Sequence, residues 1–287
     1  MTIVLEQLRY VRLGTRNLPE AARFAAEILG LQQVGEGAGN AYFRSDFRDF
    51  TLLLFEGDPA EQSVAFDVRT ADDLDAAERE LRAAGYPVRR GGNTECEERK
   101  VKAFLAFRDA SGNTIEIVWR AMMTGWRYFP SRDTGVTGLQ CIALRSTNAT
   151  ADERLWTKLF SGRVSDWVGD AAYIRLDPLH HRVALHPSER AGILSITYAV
   201  EGIDQIMQNH YHLRDSQVRI VHGPGRSPAS NQIFLTFEGP SGVLFNLGAE
   251  MNSLPDNHSA RQFPHAPRSF CSWGTECALP EFGGSSG

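Results

Sequence analysis

The chain has 287 residues, of which 42% are hydrophobic and 23% are charged, and its formal net charge is -5. This length suits two domains, and the apolar content is sufficient for a full hydrophobic core. The negative charge argues against nucleic acid and anionic membranes as partners. No apolar run approaches the roughly 20 residues of a membrane span. Charges among the first residues argue against a signal peptide.

The cysteine content predicts a cytoplasmic location. The four cysteines are scattered without paired spacing: Cys96, Cys141, Cys271 and Cys277. Such cysteines are typical of reduced thiols in the cytoplasm. We therefore expect a soluble cytoplasmic protein with no nucleic-acid or membrane partner, and the composition leaves a homo-oligomer open. None of the eight histidines precedes His180, so the first half cannot build an imidazole site.

The first half of the chain contains three blocks of strand type. Leu8 to Leu13 alternates like a strand and leads into a helix from about Pro19 to Leu29. Ala65 to Val68 precedes a helix from about Asp72 to Ala84. Ala103 to Phe107 forms the third block. This order predicts a strand–helix–strands unit that occurs twice.

The second half repeats these blocks in the same order about 130 residues later. Leu139 to Leu144 leads into a helix from about Ala151 to Phe160, and Tyr198 to Val200 precedes a helix that begins near Ile203. Ile233 to Phe237 is the third block. Three repeated blocks at a nearly constant offset indicate an internal duplication, so we predict four βαβββ modules.

These modules predict an α+β fold with two domains, each made of paired βαβββ modules. The first domain is expected at residues 1–125 and the second at 135–252. A polar stretch with Gly125, Pro130 and Asp133 separates them. Residues 253–287 are rich in Pro, Ser and Asn, and we predict an irregular C-terminal extension.

Doubled βαβββ pairs resemble the vicinal oxygen chelate superfamily, which includes glyoxalase I, bleomycin-resistance proteins and type I extradiol dioxygenases. The chain length, the first half without histidines and the tail segment Phe270-x-x-Trp273-Gly274 are most similar to extradiol dioxygenases of the dihydroxybiphenyl type. The segments Gly138-Leu139, Gly223 to Arg226 and Gly239 to Gly242 also fall in that family's order. The resemblance implies that the first domain is non-catalytic and that the second holds the active or binding pocket.

The resemblance also implies a set of metal ligands that this chain lacks. In that family the second domain holds ferrous iron through two histidines and one glutamate. The matching residues here are Cys141, Ser195 and Asn246. A thiol, a hydroxyl and a neutral amide do not describe an iron, zinc or manganese site. We therefore predict no metal and no cofactor, and a pocket that the small polar side chains leave open.

The same resemblance implies which residues touch a substrate. The predicted substrate-binding residues are Ser195, Asn246, Ser227, Thr236, Trp167, Ile174 and Phe234. Ser227 and Thr236 stand where the family has a histidine and a tyrosine that contact the catechol oxygens. His181 matches the family's proton-handling histidine, and we predict it to be the one pocket base that titrates near neutral pH. Its neighbours His180 and His186 are predicted to be surface residues.

His181 and Cys141 are the candidate catalytic residues, and two interpretations of the cysteine are open. A thiol, an imidazole and an amide in one cavity are the elements of cysteine nucleophile chemistry. A buried cysteine also packs as a small apolar residue in the space that a larger side chain left. In the first half, the repeat places Tyr10, Ser63 and Glu116 at the corresponding positions, without a histidine.

The leading functional hypothesis is an enzyme that acts on an aromatic, phenolic or polyketide-like small molecule by metal-independent acid–base chemistry. C–C bond hydrolysis, cyclisation, isomerisation and lyase chemistry are all accessible to one histidine with hydrogen-bond donors. The first alternative is a small-molecule binding or resistance protein without turnover. The second is a type I extradiol ring-cleavage dioxygenase whose ligands align differently.

Overall fold

The structure is a computed structural model that describes residues 2–37 and 39–283. The strands of the first half are β1 Leu8–Thr15, β2 Gln32–Gly37, β3 Asn40–Arg44, β4 Leu52–Glu56, β5 Gln62–Val68, β6 Arg89–Arg90, β7 Val101–Arg108 and β8 Thr114–Ala121. Those of the second half are β9 Val136–Ser146, β10 Arg163–Val168, β11 Ala171–Arg175, β12 Val183–Pro187, β13 Gly192–Val200, β14 Ile220–Arg226, β15 Ile233–Glu238, β16 Leu244–Ala249 and β17 Arg261–Phe263.

The helices lie close to the predicted positions. They are α1 Leu18–Arg23, α2 Ala71–Ala83, α3 Asn93–Glu98, α4 Ala149–Arg154, α5 Ile203–Asp215 and α6 Pro267–Phe270. A π-helical turn extends α1 over Phe24–Ile28 and another extends α4 over Leu155–Leu159, and short 3-10 turns cover Pro240–Gly242 and Pro280–Phe282. Within the described ranges, we find no helix with the length and apolar character that crossing a membrane requires.

Helix α2 has the two features that make a helix recognisable in a sequence, a capping residue and a periodic apolar face. Thr70 caps it, since the Thr70 hydroxyl accepts a hydrogen bond from the Asp73 N–H (3.1 Å) and the Asp73 carboxylate accepts one from the Thr70 N–H (2.9 Å). The buried residues Leu74, Ala77 and Leu81 lie on one face and pack into the core. Cap and apolar stripe together fix the start of the helix and its orientation.

The two halves build sheets with the same strand order. The first sheet runs β2-β3-β4-β1-β5-β8-β7-β6. The second runs β10-β11-β12-β9-β13-β16-β15-β14, and β17 is added beside β10. Each sheet therefore contains two βαβββ modules whose first strands pair antiparallel at its centre. The α+β fold and the repeated module are confirmed.

The hydrophobic core continues from one half of the chain into the other. Trp156 of the second half packs edge-on against Phe66 of the first, with ring centroids 5.1 Å apart. Phe160 likewise lies 6.1 Å from Phe107. Because a single cluster of buried apolar residues joins both sheets, the division into independent domains stays a prediction.

Replacing Trp156 by alanine is expected to lower the free energy of unfolding by about 3–5 kcal/mol, because it empties a fully buried position. Since Trp156 contacts both halves, one cooperative transition should shift as a whole. Urea denaturation followed by circular dichroism measures this. The control Trp126→Ala, at a residue 81% exposed, should stay within about 0.5 kcal/mol of the parent protein. Two separate transitions, of which only one moves, would contradict the shared core.

Candidate active site

The second sheet encloses a cavity of about 70 Å³. Five of the predicted substrate-binding residues line it, together with the two candidate catalytic residues: Ser195, Ser227, Phe234, Thr236, Asn246, Cys141 and His181. Residues that the sequence analysis had not singled out for the pocket also line it: Tyr173, His186, Thr197, His222, Ser230, Gln232, Phe270 and Phe282. The lining therefore combines aromatic rings, three imidazoles and small hydrogen-bonding groups.

The prediction that Ile174 and Trp167 line the pocket was wrong, since neither side chain lies at the cavity. Ile174 is fully buried in the main hydrophobic core, and its neighbour Tyr173 faces the cavity instead. Trp167 donates a hydrogen bond from Nε1 to the Glu153 carboxylate on α4 (2.9 Å), so it faces the helices. Successive residues of a strand point to opposite faces, and an error of one position exchanges the cavity face for the core face.

A row of four side chains crosses the floor of the cavity. Cys141 on β9 lies opposite Thr197 on β13, Thr197 opposite Asn246 on β16, and Asn246 opposite Thr236 on β15. The Asn246 amide donates to the Thr197 hydroxyl (3.2 Å) and accepts from the Thr236 hydroxyl (3.2 Å). Ser195 lies two residues before Thr197 on the same face. Thr197 is not among the predicted pocket residues, but the two-residue period of a strand identifies it from Ser195.

The side chains of this region do not fit a ferrous iron. Burial raises the pKa of the Cys141 thiol to about 11, although a hydrogen bond with Thr197 opposes the shift, so the free side chain is a neutral thiol. The Asn246 amide is already paired with two threonines, and Ser195 offers a neutral hydroxyl. Among residues 2–37 and 39–283, no three His, Cys, Asp or Glu side chains are grouped as ligands of one metal ion.

A chain of hydrogen bonds connects the cavity with a buried carboxylate. Cys141 Sγ lies 3.5 Å from His181 Nε2, His181 Nδ1 lies 3.0 Å from His180 Nδ1, and His180 Nε2 lies 2.8 Å from Asp166 Oδ2. The prediction of His180 as a surface residue was wrong, since it is fully buried. His180 and His181 precede β12 in an irregular segment, so strand alternation does not separate their side chains.

The carboxylate sets the direction of every bond in this chain. An ionised carboxylate only accepts, so His180 Nε2 carries the proton that Asp166 receives. Burial lowers the pKa of His180 although Asp166 opposes this, so the ring is neutral and its Nδ1 is an acceptor. His181 must then donate from Nδ1, which leaves the lone pair on Nε2 pointing at the Cys141 thiol and the cavity.

The protonation behaviour of His181 differs from the expectation of a base that titrates near neutral pH. Burial, reinforced by the neighbouring His180, holds the pKa of His181 well below its ordinary value. The imidazole is therefore neutral at pH 7, and it can accept a proton only in the course of a reaction that stabilises the resulting charge. The cavity thus presents a neutral acceptor beside a neutral thiol.

The C-terminal extension anchors the other end of the chain of hydrogen bonds. Arg261, on the edge strand β17, donates to Asp166 from its backbone N–H (2.8 Å), Nε (3.0 Å) and Nη2 (2.6 Å). Although burial raises it, hydrogen bonds from His180 and Arg261 hold the pKa of Asp166 well below its ordinary value. The extension, expected to be irregular, thus supplies a strand that pairs parallel with β10.

The extension also covers the cavity. His186 Nδ1 donates to the Glu281 carbonyl (2.9 Å), and His222 Nε2 donates to the Thr275 carbonyl (3.2 Å). The Phe282 ring packs against both imidazoles, with centroids 5.2 and 5.8 Å away. His186 is buried, so its prediction as a surface residue was wrong, and burial lowers its pKa to about 4.

Two of the corresponding positions of the first sheet, Tyr10 and Glu116, form a polar cluster with Arg99. The Tyr10 hydroxyl donates to the Glu116 carboxylate (2.7 Å), and Arg99 donates two further hydrogen bonds to it (3.0 Å each). All three side chains are buried. The Glu116 carboxylate is satisfied by these donors and the cluster contains no imidazole, so it has the character of a structural network.

Comparison with known proteins gives matches to dioxygenases and to the superfamily that contains them. The family model described as Glyoxalase/Bleomycin resistance protein/Dioxygenase superfamily matches residues 7–117. An iron-dependent extradiol dioxygenase of Rhodococcus jostii (strain RHA1) is 24% identical over 276 residues, which cover 88% of this chain and 91% of that protein. A biphenyl-2,3-diol 1,2-dioxygenase of Sphingomonas paucimobilis is 24% identical over 273 residues, with coverage of 88% and 91%.

Solved structures show the same architecture over nearly the whole chain. BphC, a halotolerant catechol dioxygenase, superposes with a TM-score of 0.88 at 20% identity and covers 98% of this chain and 97% of its own. A Mn(II)-bound glyoxalase from Novosphingobium aromaticivorans gives 0.87 at 24% identity, with coverage of 97% and 94%. At these identities the likeness establishes the fold.

Proposed function

We propose that the protein is an enzyme that acts on aromatic small molecules, because residues 7–117 match the glyoxalase and dioxygenase superfamily model and the chain is similar to extradiol dioxygenases. It acts on a phenolic or related compound by acid–base chemistry at His181 and Cys141, without a metal ion. The observation that carries this proposal is the directed chain of hydrogen bonds from Asp166 through His180 to His181.

The role of His181 is that of the proton acceptor. Its Nε2 lone pair lies beside the Cys141 thiol at the cavity, and Asp166 and His180 hold the tautomer that leaves this lone pair free. A phenolic O–H or an acidic C–H placed at Nε2 can lose its proton to the ring. The charge that develops on His181 is stabilised through His180 and the Asp166 carboxylate, as in other hydrogen-bonded imidazole–carboxylate pairs.

The polar floor of the cavity suits oxygen substituents. Thr197, Thr236 and Asn246 already form a hydrogen-bonded row, and Ser195 and Ser227 add hydroxyls around it. These groups donate to a carbonyl or phenolate oxygen, whose negative charge grows as the proton leaves. The aromatic rings of Tyr173, Phe234 and Phe282 present flat apolar surfaces on the other sides. A planar ring that carries one or two oxygen atoms fits a cavity with a polar floor and aromatic walls.

The chemistry open to these groups is proton transfer through an enol or phenolate, which serves C–C hydrolysis, cyclisation, isomerisation and elimination. Cys141 has two roles that agree with its position 3.5 Å from His181 Nε2. As a nucleophile it would transfer its proton to His181 while its sulfur bonds to a carbonyl carbon and the C=O electron pair moves to the oxygen, because its raised pKa of about 11 keeps the free thiol neutral. As a packing residue it would only fill the space beside the imidazole.

Extradiol ring cleavage is the second candidate, and the activities named for the relatives favour it. It needs a metal ion with open coordination positions, which the thiol, hydroxyl and amide of this cavity do not fit. The chemistry of the donor set therefore ranks this candidate below proton transfer.

Metal content and ring cleavage distinguish the two candidates. We expect protein produced with added iron and manganese to contain well under one equivalent of either metal by mass spectrometry. We also expect no cleavage of catechol or 2,3-dihydroxybiphenyl, while a biphenyl-2,3-diol 1,2-dioxygenase assayed in parallel is active. A panel of phenolic compounds should include one that is turned over equally well with a chelator present. Ring cleavage with about one bound iron would establish the second candidate, and tight binding without turnover would indicate a sequestering protein.

A further inference from the structure

A second and larger cleft, of about 850 Å³, lies over the first sheet and is closed on one side by residues of the second half. Its ionisable lining consists of six arginines and two glutamates: Arg12, Arg89, Arg99, Arg108, Arg145, Arg190, Glu61 and Glu116. Glu95, Glu98 and Glu281 pair with three of these arginines from just outside the lining, so the cleft and its rim carry six positive and five negative charges. The arginines without an acidic partner are therefore the groups that can attract an anion into the concave surface.

A row of polar side chains crosses the floor of this cleft. Arg12 on β1 lies opposite Ser63 on β5, Ser63 opposite Thr114 on β8, and Thr114 opposite Arg108 on β7. Residues directly opposite each other in a sheet point to the same face. With strands about 4.8 Å apart, the row extends over roughly 14 Å, with a guanidinium at each end and two hydroxyls between.

Two polar atoms in this row are buried and have no hydrogen-bond partner among the residues that the structure describes. Ser63 is 3% exposed and its Oγ has no partner, and Arg12 Nε is in the same situation. A buried donor that is left unpaired costs free energy, and a ligand that accepts from it recovers that energy. Both atoms belong to residues that line the cleft.

Of the six arginines that line the cleft, two have no acidic partner among the described residues, whereas the other four are paired. Arg12, Arg89, Arg99 and Arg145 each form an ion pair with a glutamate. In the described part of the chain, Arg108 and Arg190 form no ion pair and both are exposed. The segment that carries Arg190 is fixed to the first half, because Gly192 N–H donates to Asn113 Oδ1 (2.6 Å) and Ile193 N–H donates to Gln62 Oε1 (2.9 Å).

We propose that this cleft binds a small organic anion with two or more negative charges, carried by carboxylate or phosphate groups. Arg108 and Arg190 hold its charges, because a planar guanidinium pairs with an oxyanion through two parallel hydrogen bonds. Ser63 donates to it from the floor. The site is separate from the cavity of the second sheet, and it does not depend on the chemistry proposed there.

Binding of citrate and pyrophosphate to the intact protein tests this proposal. Isothermal titration calorimetry is run at an ionic strength that sodium chloride keeps constant, since surface charges attract any anion at low salt. We expect saturable binding of at least one of the two, and the stronger of them identifies the ligand group as carboxylate or phosphate. Arg108→Ala and Arg190→Ala should each weaken binding by about tenfold or more. Arg79→Ala, an exposed arginine of α2 outside the cleft, should bind like the parent protein.

The Ser63→Ala variant separates a ligand contact from a purely structural position. Removal of an unpaired buried hydroxyl should leave the melting temperature of the free protein unchanged or higher. If Ser63 contacts the anion, the same variant binds it several-fold more weakly. The proposal is overturned if neither anion binds at constant ionic strength, or if Arg79→Ala weakens binding as much as Arg108→Ala. Unchanged affinity in Ser63→Ala would remove the serine from the site.

Discussion

Replacing His181 by glutamine is expected to lower the turnover rate on a phenolic substrate by about 10²–10⁴-fold, which is the usual contribution of general acid–base catalysis. Glutamine keeps approximately the size and the hydrogen bonding of the ring but cannot accept a proton. The imidazole is buried beside the Cys141 thiol, so no other lining group can accept the proton at the position of its Nε2 atom. Steady-state kinetics with the substrate found in the phenolic panel measure the effect.

The control for this variant is His265→Gln, which changes an exposed histidine of the C-terminal extension and should leave turnover unchanged. Circular dichroism of the His181→Gln protein shows that it is folded. Full activity of that folded protein would exclude His181 as the base. Cys141→Ala then decides the role of the thiol. A loss as large as that of His181→Gln identifies a nucleophile, and near-normal turnover identifies a packing residue.

Replacing Asp166 by asparagine is expected to affect both stability and catalysis. Its side chain is fully buried, its ion-pair partner is Arg261, and removal of one partner from a buried ion pair costs about 3–5 kcal/mol. Arg261 is about half exposed and recovers part of its hydration, so the lower end of this range applies. Asparagine can donate to His180 Nε2, which reverses the chain of hydrogen bonds and puts a proton on His181 Nε2. We therefore expect a loss of turnover on the order of 10²-fold or more.

The pH dependence of stability tests the role of the charge. The pKa of Asp166 is held well below its ordinary value in the folded protein, whereas an unfolded chain gives about 3.9. The stabilisation is therefore present in full above the unfolded pKa and is lost as the pH falls below it. The difference in unfolding free energy between the parent protein and Asp166→Asn should shrink by about 1 kcal/mol at pH 3. Urea denaturation at pH 7 and pH 3 measures it, with the exposed Asp170→Asn as a control.

A double variant distinguishes a positioning role from a general loss of structure. If Asp166 acts on the reaction only through His180 and His181, adding Asp166→Asn to His181→Gln should lower turnover little further. Multiplied losses would mean that the carboxylate acts by another route. The kinetic and stability effects can thus be assigned separately to the same residue.

The amino-acid sequence by itself determined the repeated module, and with it the fold. Hydrophobic periodicity and the offset of about 130 residues located both central strands and the helices after them, because those signals are local. The resemblance then placed Cys141, Ser195 and Asn246 together, and the structure brings all three to one cavity. The amino-acid sequence alone shows that these three positions carry a thiol, a hydroxyl and an amide in place of the family's histidine and glutamate ligands.

The tertiary structure alone decided which groups touch. The exchange of Ile174 for Tyr173 depends on strand register, which shifts every side chain to the other face when it moves by one residue. The link from His181 to Asp166, and from there to Arg261 on the C-terminal edge strand, joins segments distant in sequence. No periodicity records such a contact, because it arises only when the extension returns to pair with β10 and buries the carboxylate between two donors.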